Sequence, residues 1–257
     1  MRPPIALTIA GSDPSGGAGI QADLKTFTAL GTYGCAVITS LTAQNTQGVD
    51  GVFTPPASFV RDQLTTLLDD VYIDATKIGM IPNAEVAETI ATFIEERRSD
   101  FGTIVLDPVM VATSGDMLMA EDAMSILHDR LLPLADVLTP NIPEAALLLG
   151  ENPATDETEM KEQGLKLLNR GPKSVLVKGG HLRGSELVDV FVQRGNVVDV
   201  LKGDMINTRN THGTGCTLSS AIAAQYARVA GGLDATDTGV IASAREFLQS
   251  AITHAKE

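Results

Sequence analysis

Asn210-Thr211-His212-Gly213-Thr214-Gly215-Cys216 stands directly before residues spaced as one face of a helix: Leu218, Ala221, Ile222, Gln225, Tyr226 and Val229. The first N–H groups of a helix lack internal partners, and the helix dipole puts partial positive charge there. Glycine lets backbone come close to a phosphate, so Gly213, Thr214 and Gly215 at such a mouth make an anion site. Cys216 then directs a sulfur at whatever binds. The plain alternative is a glycine-rich turn with a buried cysteine, and context has to decide.

Outward from that segment, short apolar runs alternate with helical periodicity. Strands are predicted at 5–10, 36–41, 75–80, 103–106, 137–139 and 174–177. Helical faces lie between them: Ile20, Leu24, Phe27 and Leu30; Phe59, Val60, Leu64, Leu67 and Leu68; Val86, Ile90, Phe93 and Ile94; Ile126, Leu127 and Leu131; and the stretch 160–168. The strands do not alternate apolar with polar residues, so both sheet faces are expected to be covered. Runs 186–192 and 197–201 flank Gln193-Arg194-Gly195-Asn196 and read as a hairpin near a sheet edge. Two long helices, 213–229 and 234–253, close the chain. This order predicts an α/β fold with a mostly parallel sheet between helical layers, as a single domain over 1–257.

A net charge of −13 repels nucleic acid and anionic membrane, so an anionic ligand must be held by local positive groups or a metal. Cys35 and Cys216 lie far apart and make no disulfide or CxxC pattern, which fits a reducing cytoplasm. The N-terminus has no leader-like apolar run, and no stretch approaches the roughly 20 apolar residues of a membrane span. The expectation is a cytoplasmic protein.

In parallel α/β sheets, ligands bind beyond the carboxyl ends of the strands. The first strand runs into a loop with Gly11, Gly16, Gly17, Ala18 and Gly19; it lacks the third glycine of a dinucleotide fingerprint and suits a flat ligand against backbone. Asp23 falls near the apolar face of the next helix, where it is paired, ligand-bound or at the face's edge. Gln44 can donate to and accept from a heterocycle edge, or bond its own turn. Met80 suits a ring or the core. Asp107 at a strand end suits a metal–water site, or a cap. Asn141, Pro143 and Glu144 are good helix-start residues, and Glu144 could instead organise Mg²⁺ through water. Lys178 emerges from an apolar run beside glycines and can reach a phosphate or lie on the surface; His181 and His212 can bond phosphate oxygens or be structural. The four histidines show no metal-ligand spacing.

Together these pieces resemble the ribokinase-like superfamily, and within it the hydroxymethylpyrimidine/phosphomethylpyrimidine kinases of thiamine biosynthesis. The resemblance rests on AGSDPSGGAGIQAD, TAQNTQGV, KIGM, LDPVM, TPNIPEA, VKGGH and NTHGTGCTLSSAIAA, in that order from about Ile5 to Ala224. It implies a three-layer α/β/α kinase domain, usually a homodimer, and two ATP- and Mg²⁺-dependent phosphoryl transfers. The first acts on the alcohol of 4-amino-5-hydroxymethyl-2-methylpyrimidine and the second on the resulting monophosphate. It further implies that Gln44 bonds the pyrimidine edge with Asp23 nearby, and that Gly11, Ala18, Met80 and Val109 line the ring pocket. Asn141 would help hold phosphate, and Glu144 and Asp107 magnesium. Lys178 would contact ATP phosphate, with Thr211, His212, Gly213, Thr214, Gly215 and Cys216 forming the anion hole.

Most ribokinase-like sugar kinases carry aspartate where this chain has Cys216. A helix N-terminus lowers a thiol's pKa, so a thiolate there can accept a proton. Phosphoryl transfer through a loose transition state nevertheless relies mainly on positioning and charge stabilisation, and needs little from a base. The nearest rival reading is a pyridoxal kinase, whose substrate is also a flat heterocycle with a hydroxymethyl group. A non-catalytic ligand sensor is a second rival, opposed by the intact Asn141, Glu144, Lys178 and glycines.

Overall fold

The computed structural model describes residues 2–110, 121–180, 182, 186–195, 197–206, 208 and 211–255. The predicted roles of Asn210 and His181 fall outside these residues. The strands are β1 (Ile5–Ser12), β2 (Tyr33–Gln44), β3 (Val49–Phe53), β4 (Ala75–Ile78), β5 (Thr103–Leu106), β6 (Val137–Leu138), β7 (Ser174–Val177), β8 (Glu186–Gln193) and β9 (Val197–Asp204). The helices are α1 (Gly19–Ala29), α2 (Ala57–Leu68), α3 (Ala84–Glu96), α4 (Glu121–Ile126), α5 (Leu132–Leu134), α6 (Ile142–Leu149), α7 (Glu157–Leu168), α8 (Thr214–Ala230) and α9 (Asp237–Thr253).

All nine strands join one sheet in the order β3-β2-β1-β4-β5-β6-β7-β8-β9. The six from β2 to β7 run parallel, and β3, β8 and β9 are antiparallel additions at the two edges. The edge hairpin β8–β9 is the one expected from sequence. The β2–β3 pairing is not: β3 is almost wholly exposed, so it carries no apolar pattern to read. Asn45 organises its turn by accepting from the N–H groups of Gln47 and Gly48.

Strand side chains alternate between two cores, as a pleated backbone requires. Leu7, Ile9, Ile78, Ile104, Leu106, Val175 and Val177 pack toward α2, α3, α6 and α7. Ala6, Ala75, Val105 and Leu176 pack toward α1, α8 and α9, whose contributions include Phe27, Ala221, Ala224 and Ile241. The result is three layers with helices on both sheet faces. The second core is rich in alanine, so α8 lies close to the sheet, and a polar side chain on that face of a strand meets the helix directly.

Two helical expectations need correction. Phe59 is 56% exposed, because the buried stripe of α2 is Ala57, Val60, Leu64 and Leu68, and Phe59 sits about 100° away from Val60 around the helix. The helix expected around Ile126–Leu131 breaks into α4, a π turn over Leu127–Leu131 and the short α5, which contains Pro133. Proline removes a backbone donor, and the wide turn still buries Leu127 and Leu131.

Candidate active site

Two glycine loops far apart in sequence meet at the mouth of α8. Gly213 caps that helix in the left-handed conformation, with φ 77°. A Cβ there would lie 1.7 Å from the carbonyl oxygen of Gly17, so only glycine fits. Gly17 in turn lies against the His212 ring. The loop after β1 is organised by Asp13, whose carboxylate accepts from the N–H groups of Ser15 and Ala18, the Ser15 hydroxyl and His212 Nε2 at 2.8 Å. Burial is the largest single influence on Asp13 and works against its charge, but these hydrogen bonds together hold its pKa below the usual value. His212 Nε2 thus bonds Asp13, the structural role of the two expected for it, and ties one loop to the other. Thr211 is exposed, and its carbonyl accepts from the N–H and hydroxyl of Thr214 in the first turn.

Behind the helix mouth sits Asp107, buried just beyond β5. It accepts from Lys178 Nζ at 2.9 Å, Ser219 Oγ at 3.0 Å and Thr139 Oγ1 at 3.1 Å. A Cβ on Gly215 would lie 3.5 Å from Lys178 Nζ and 3.9 Å from an Asp107 oxygen, so the pair borders the helix mouth. Burial opposes charge on both partners most strongly, yet their mutual attraction keeps the Asp107 pKa low and the Lys178 pKa high.

Asn141 and Glu144 form a complete capping box at the start of α6. The Asn141 N–H donates to Glu144 Oε2 at 2.7 Å, and the Glu144 N–H donates to Asn141 Oδ1 at 2.8 Å. The helix-start reading of these residues is therefore realised, and the cap aims Glu144 inward. Its carboxyl is pushed up to about 7, chiefly by burial and also by the charge of Asp107, while Lys178 pulls the other way. Among the described residues, no three His, Cys, Asp or Glu side chains form a ready metal cage.

On the opposite flank, β1 and β2 shift register between Ala10 and Gly11. A Cβ on Gly11 would lie 2.6 Å from Ser40 Oγ and 3.2 Å from Met80 Sδ, so this glycine keeps a close three-way contact open. Ala18 caps α1 without a side-chain bond, and half-buried Val109 donates its N–H to the Asp107 carbonyl. Half-buried Gln44 ends β2, with its Oε1 accepting from Thr42 Oγ1 at 3.0 Å.

Asp23 is the main departure from expectation. It is fully buried, paired with Lys77 Nζ at 2.9 Å, and accepts from Thr8 Oγ1 at 2.6 Å and Ser220 Oγ at 2.5 Å. Of the three alternatives, pairing is the one observed, and Asp23 is not open to a substrate. Lys77, Ser219 and Ser220 were not anticipated as site residues. Lys77 alone carried a signal: a charged residue in a short strand otherwise free of charge.

Cys216 occupies the third position of α8, where the Gly19 N–H favours its ionised form. Burial pushes the thiol pKa up, Lys77 opposes that, and Asp23 and Asp107 add to it. The expected lowering by the helix N-terminus is overridden, because desolvation of a thiolate outweighs a partial dipole charge. The resting side chain is a thiol.

Residues 13–257 match the family described as phosphomethylpyrimidine kinase. A hydroxymethylpyrimidine/phosphomethylpyrimidine kinase of Rhizobium meliloti is 49% identical over 251 residues, covering 98% of this chain and 91% of the relative. The crystal structure of phosphomethylpyrimidine kinase from Clostridium difficile is 40% identical and superposes with a TM-score of 0.82, covering 96% of this chain and 99% of that one. An ADP complex of Bacillus subtilis pyridoxal kinase is 36% identical with a TM-score of 0.87, covering 98% of this chain and 93% of that one. With a ribokinase-like sheet, a glycine-bearing helix mouth and near-complete coverage by these relatives, the chain belongs to the phosphomethylpyrimidine kinase family.

Proposed function

We propose that residues 1–257 act as one cytoplasmic kinase domain that phosphorylates 4-amino-5-hydroxymethyl-2-methylpyrimidine with ATP. The same site then phosphorylates the monophosphate to the diphosphate, in thiamine biosynthesis. The observation that carries this reading is the contact of Gly213 with Gly17 at the mouth of α8, beside the Asp107–Lys178 pair. A helix mouth with a lysine at its rim suits a transferring phosphoryl group, whose charge lies on its outer oxygens.

In this reading Gln44 bonds the pyrimidine edge, while Gly11, Ala18, Met80 and Val109 border the ring. Gly213, Thr214, Gly215, Thr211 and Asn141 meet phosphate. Lys178 leaves Asp107 to neutralise phosphate oxygens. Asp107 and Glu144 fit a divalent cation: two buried carboxylates share one lysine, and an added cation would ionise Glu144 fully. Magnesium, which keeps several waters and takes few carboxylates, suits that pair and would neutralise phosphate charge. Cys216 takes the hydroxyl proton late, as the bond to phosphorus forms, because a resting thiol is a poor base and a loose transition state demands little of one. The exposed cross-strand pair Leu41–Phe53 supports a homodimer that covers the β2–β3 edge.

A second reading, pyridoxal phosphorylation, is favoured by the fold likeness to the pyridoxal kinase above. ADP release with Mg-ATP, measured separately on hydroxymethylpyrimidine, its monophosphate and pyridoxal, decides between them. Turnover of both pyrimidines with pyridoxal much slower is expected. Turnover of pyridoxal alone would overturn the proposal.

A further inference from the structure

The N-terminal halves of α1 and α8 meet at two rungs, whose residues on each helix are four apart and therefore on one face. In the upper rung, the Gly19 N–H acts on the sulfur of Cys216 and favours its thiolate. In the lower rung, Asp23 accepts from Ser220 Oγ at 2.5 Å. Gly19 adopts φ +55°, and a Cβ on it would strike the Gly11 carbonyl at 2.3 Å, so the upper rung requires glycine. Beneath both rungs, β4 sends up Lys77, wholly buried, with Nζ 2.9 and 3.0 Å from the two Asp23 oxygens. Thr8 from β1 closes the cluster with a bond to Asp23.

This arrangement is costly unless it serves the helix mouth. A buried ion pair contributes little net stability compared with apolar residues of the same size. The neighbouring core offers such residues in plenty, yet β4 carries a lysine here. The charges acting on Cys216 are Lys77 from β4, Asp23 from α1 and Asp107 beyond β5; Lys178 beyond β7 also interacts with it. Lys77 is the wholly buried cation of this set, while the Lys178 side chain is 13% exposed at the strand ends.

We infer that the Asp23–Lys77 pair, latched to α8 through Ser220, is a positioning device for Cys216: it fixes the depth of the α8 mouth and presents an internal positive charge to the sulfur. The inference rests on the kinase reading for its catalytic consequence, but not for its consequence on thiol chemistry. None of these groups touches substrate. A negative charge that grows at Cys216 during proton transfer meets a lysine already in place, with no rearrangement.

The test uses the full-length chain with Asp23→Asn and Lys77→Met together. This removes both charges and keeps one acceptor oxygen, enough for one of the two hydroxyls of Thr8 and Ser220, which bond different oxygens of Asp23. Iodoacetamide alkylation of Cys216 at pH 8, resolved from Cys35 by peptide mass spectrometry, is expected to slow, by less than the roughly tenfold of one full pKa unit, because losing Asp23 offsets part of the loss of the larger Lys77 influence. In the same variant kcat should fall while KM for ATP and the pyrimidine stays within about twofold, because no binding contact is lost. A folded variant with wild-type alkylation and kcat would overturn the inference. Should the variant not fold, Ser220→Ala decides: a fall in kcat with unchanged KM supports the latch, and unchanged kcat overturns it. If the wild type turns over none of the three substrates, the kinase reading fails, while the alkylation comparison still tests the inference.

Discussion

Asp107–Lys178 and Asp23–Lys77 are chemically the same pair at the same 2.9 Å separation, and both sit beside α8. Consecutive serines of that helix, Ser219 and Ser220, bond one aspartate each. They differ in depth. The Lys178 side chain is 13% exposed at the strand ends, whereas Lys77 and Asp23 are at 0%. A lysine at the rim can exchange its carboxylate for a phosphate oxygen at small cost, because water and ligand are within reach. One sealed in the sheet cannot exchange partners and acts only through its field and geometry. Depth thus leaves one ion pair open to exchange and seals its twin.

The largest expected effect breaks the buried pair alone. Lys77→Ala strands a carboxylate in the interior and should cost about 3–5 kcal/mol of folding stability. Urea unfolding measures it, and Lys178→Ala should cost less in the same experiment, because water reaches the 13%-exposed Lys178 position and can solvate the Asp107 left behind. Equal losses would erase the distinction in depth.

Next comes catalysis. Lys178→Ala should lower kcat for both phosphorylation steps by about 10²–10³-fold, the usual result of removing one preorganised charge from a transition state. Steady-state kinetics on the alcohol and the monophosphate check this, and a defect in one step alone would place Lys178 at a single phosphate position.

The smallest effect concerns pH. Glu144 titrates at about 7 in the folded protein, against an ordinary value of 4.5. Between those values the folded state binds more protons than the unfolded one, so stability falls as pH rises through this window. Glu144→Gln keeps an acceptor for the Asn141 N–H and removes the titration. Its stability should therefore decline less than the wild type's between pH 4.5 and 7, as thermal melts at successive pH values would show. Parallel curves for the two proteins would refute the assignment.

The strands Thr103–Leu106 and Ser174–Val177 were legible residue for residue, because fully buried parallel strands read as unbroken apolar runs. The capping box was equally legible, since Asn141 and Glu144 act on backbone three residues away. Strand β3 was not, because an exposed edge strand needs no apolar pattern. Asp23 was located near a buried face, but its partners come from β1, β4 and α8, at sequence distances of 15, 54 and 197 residues.

Local order in the chain therefore determined the alternation of strands and helices, the caps, and the glycine-bearing helix mouth, all of which depend on neighbours within a few residues. Tertiary structure alone decided which charges are paired and how deep they lie. It assigned Lys77 to Asp23 and Lys178 to Asp107, gave His212 to Asp13, and kept Cys216 a thiol. The physical reason is that desolvation and Coulomb interactions depend on distance and burial in space, and sequence spacing specifies neither for groups on different elements.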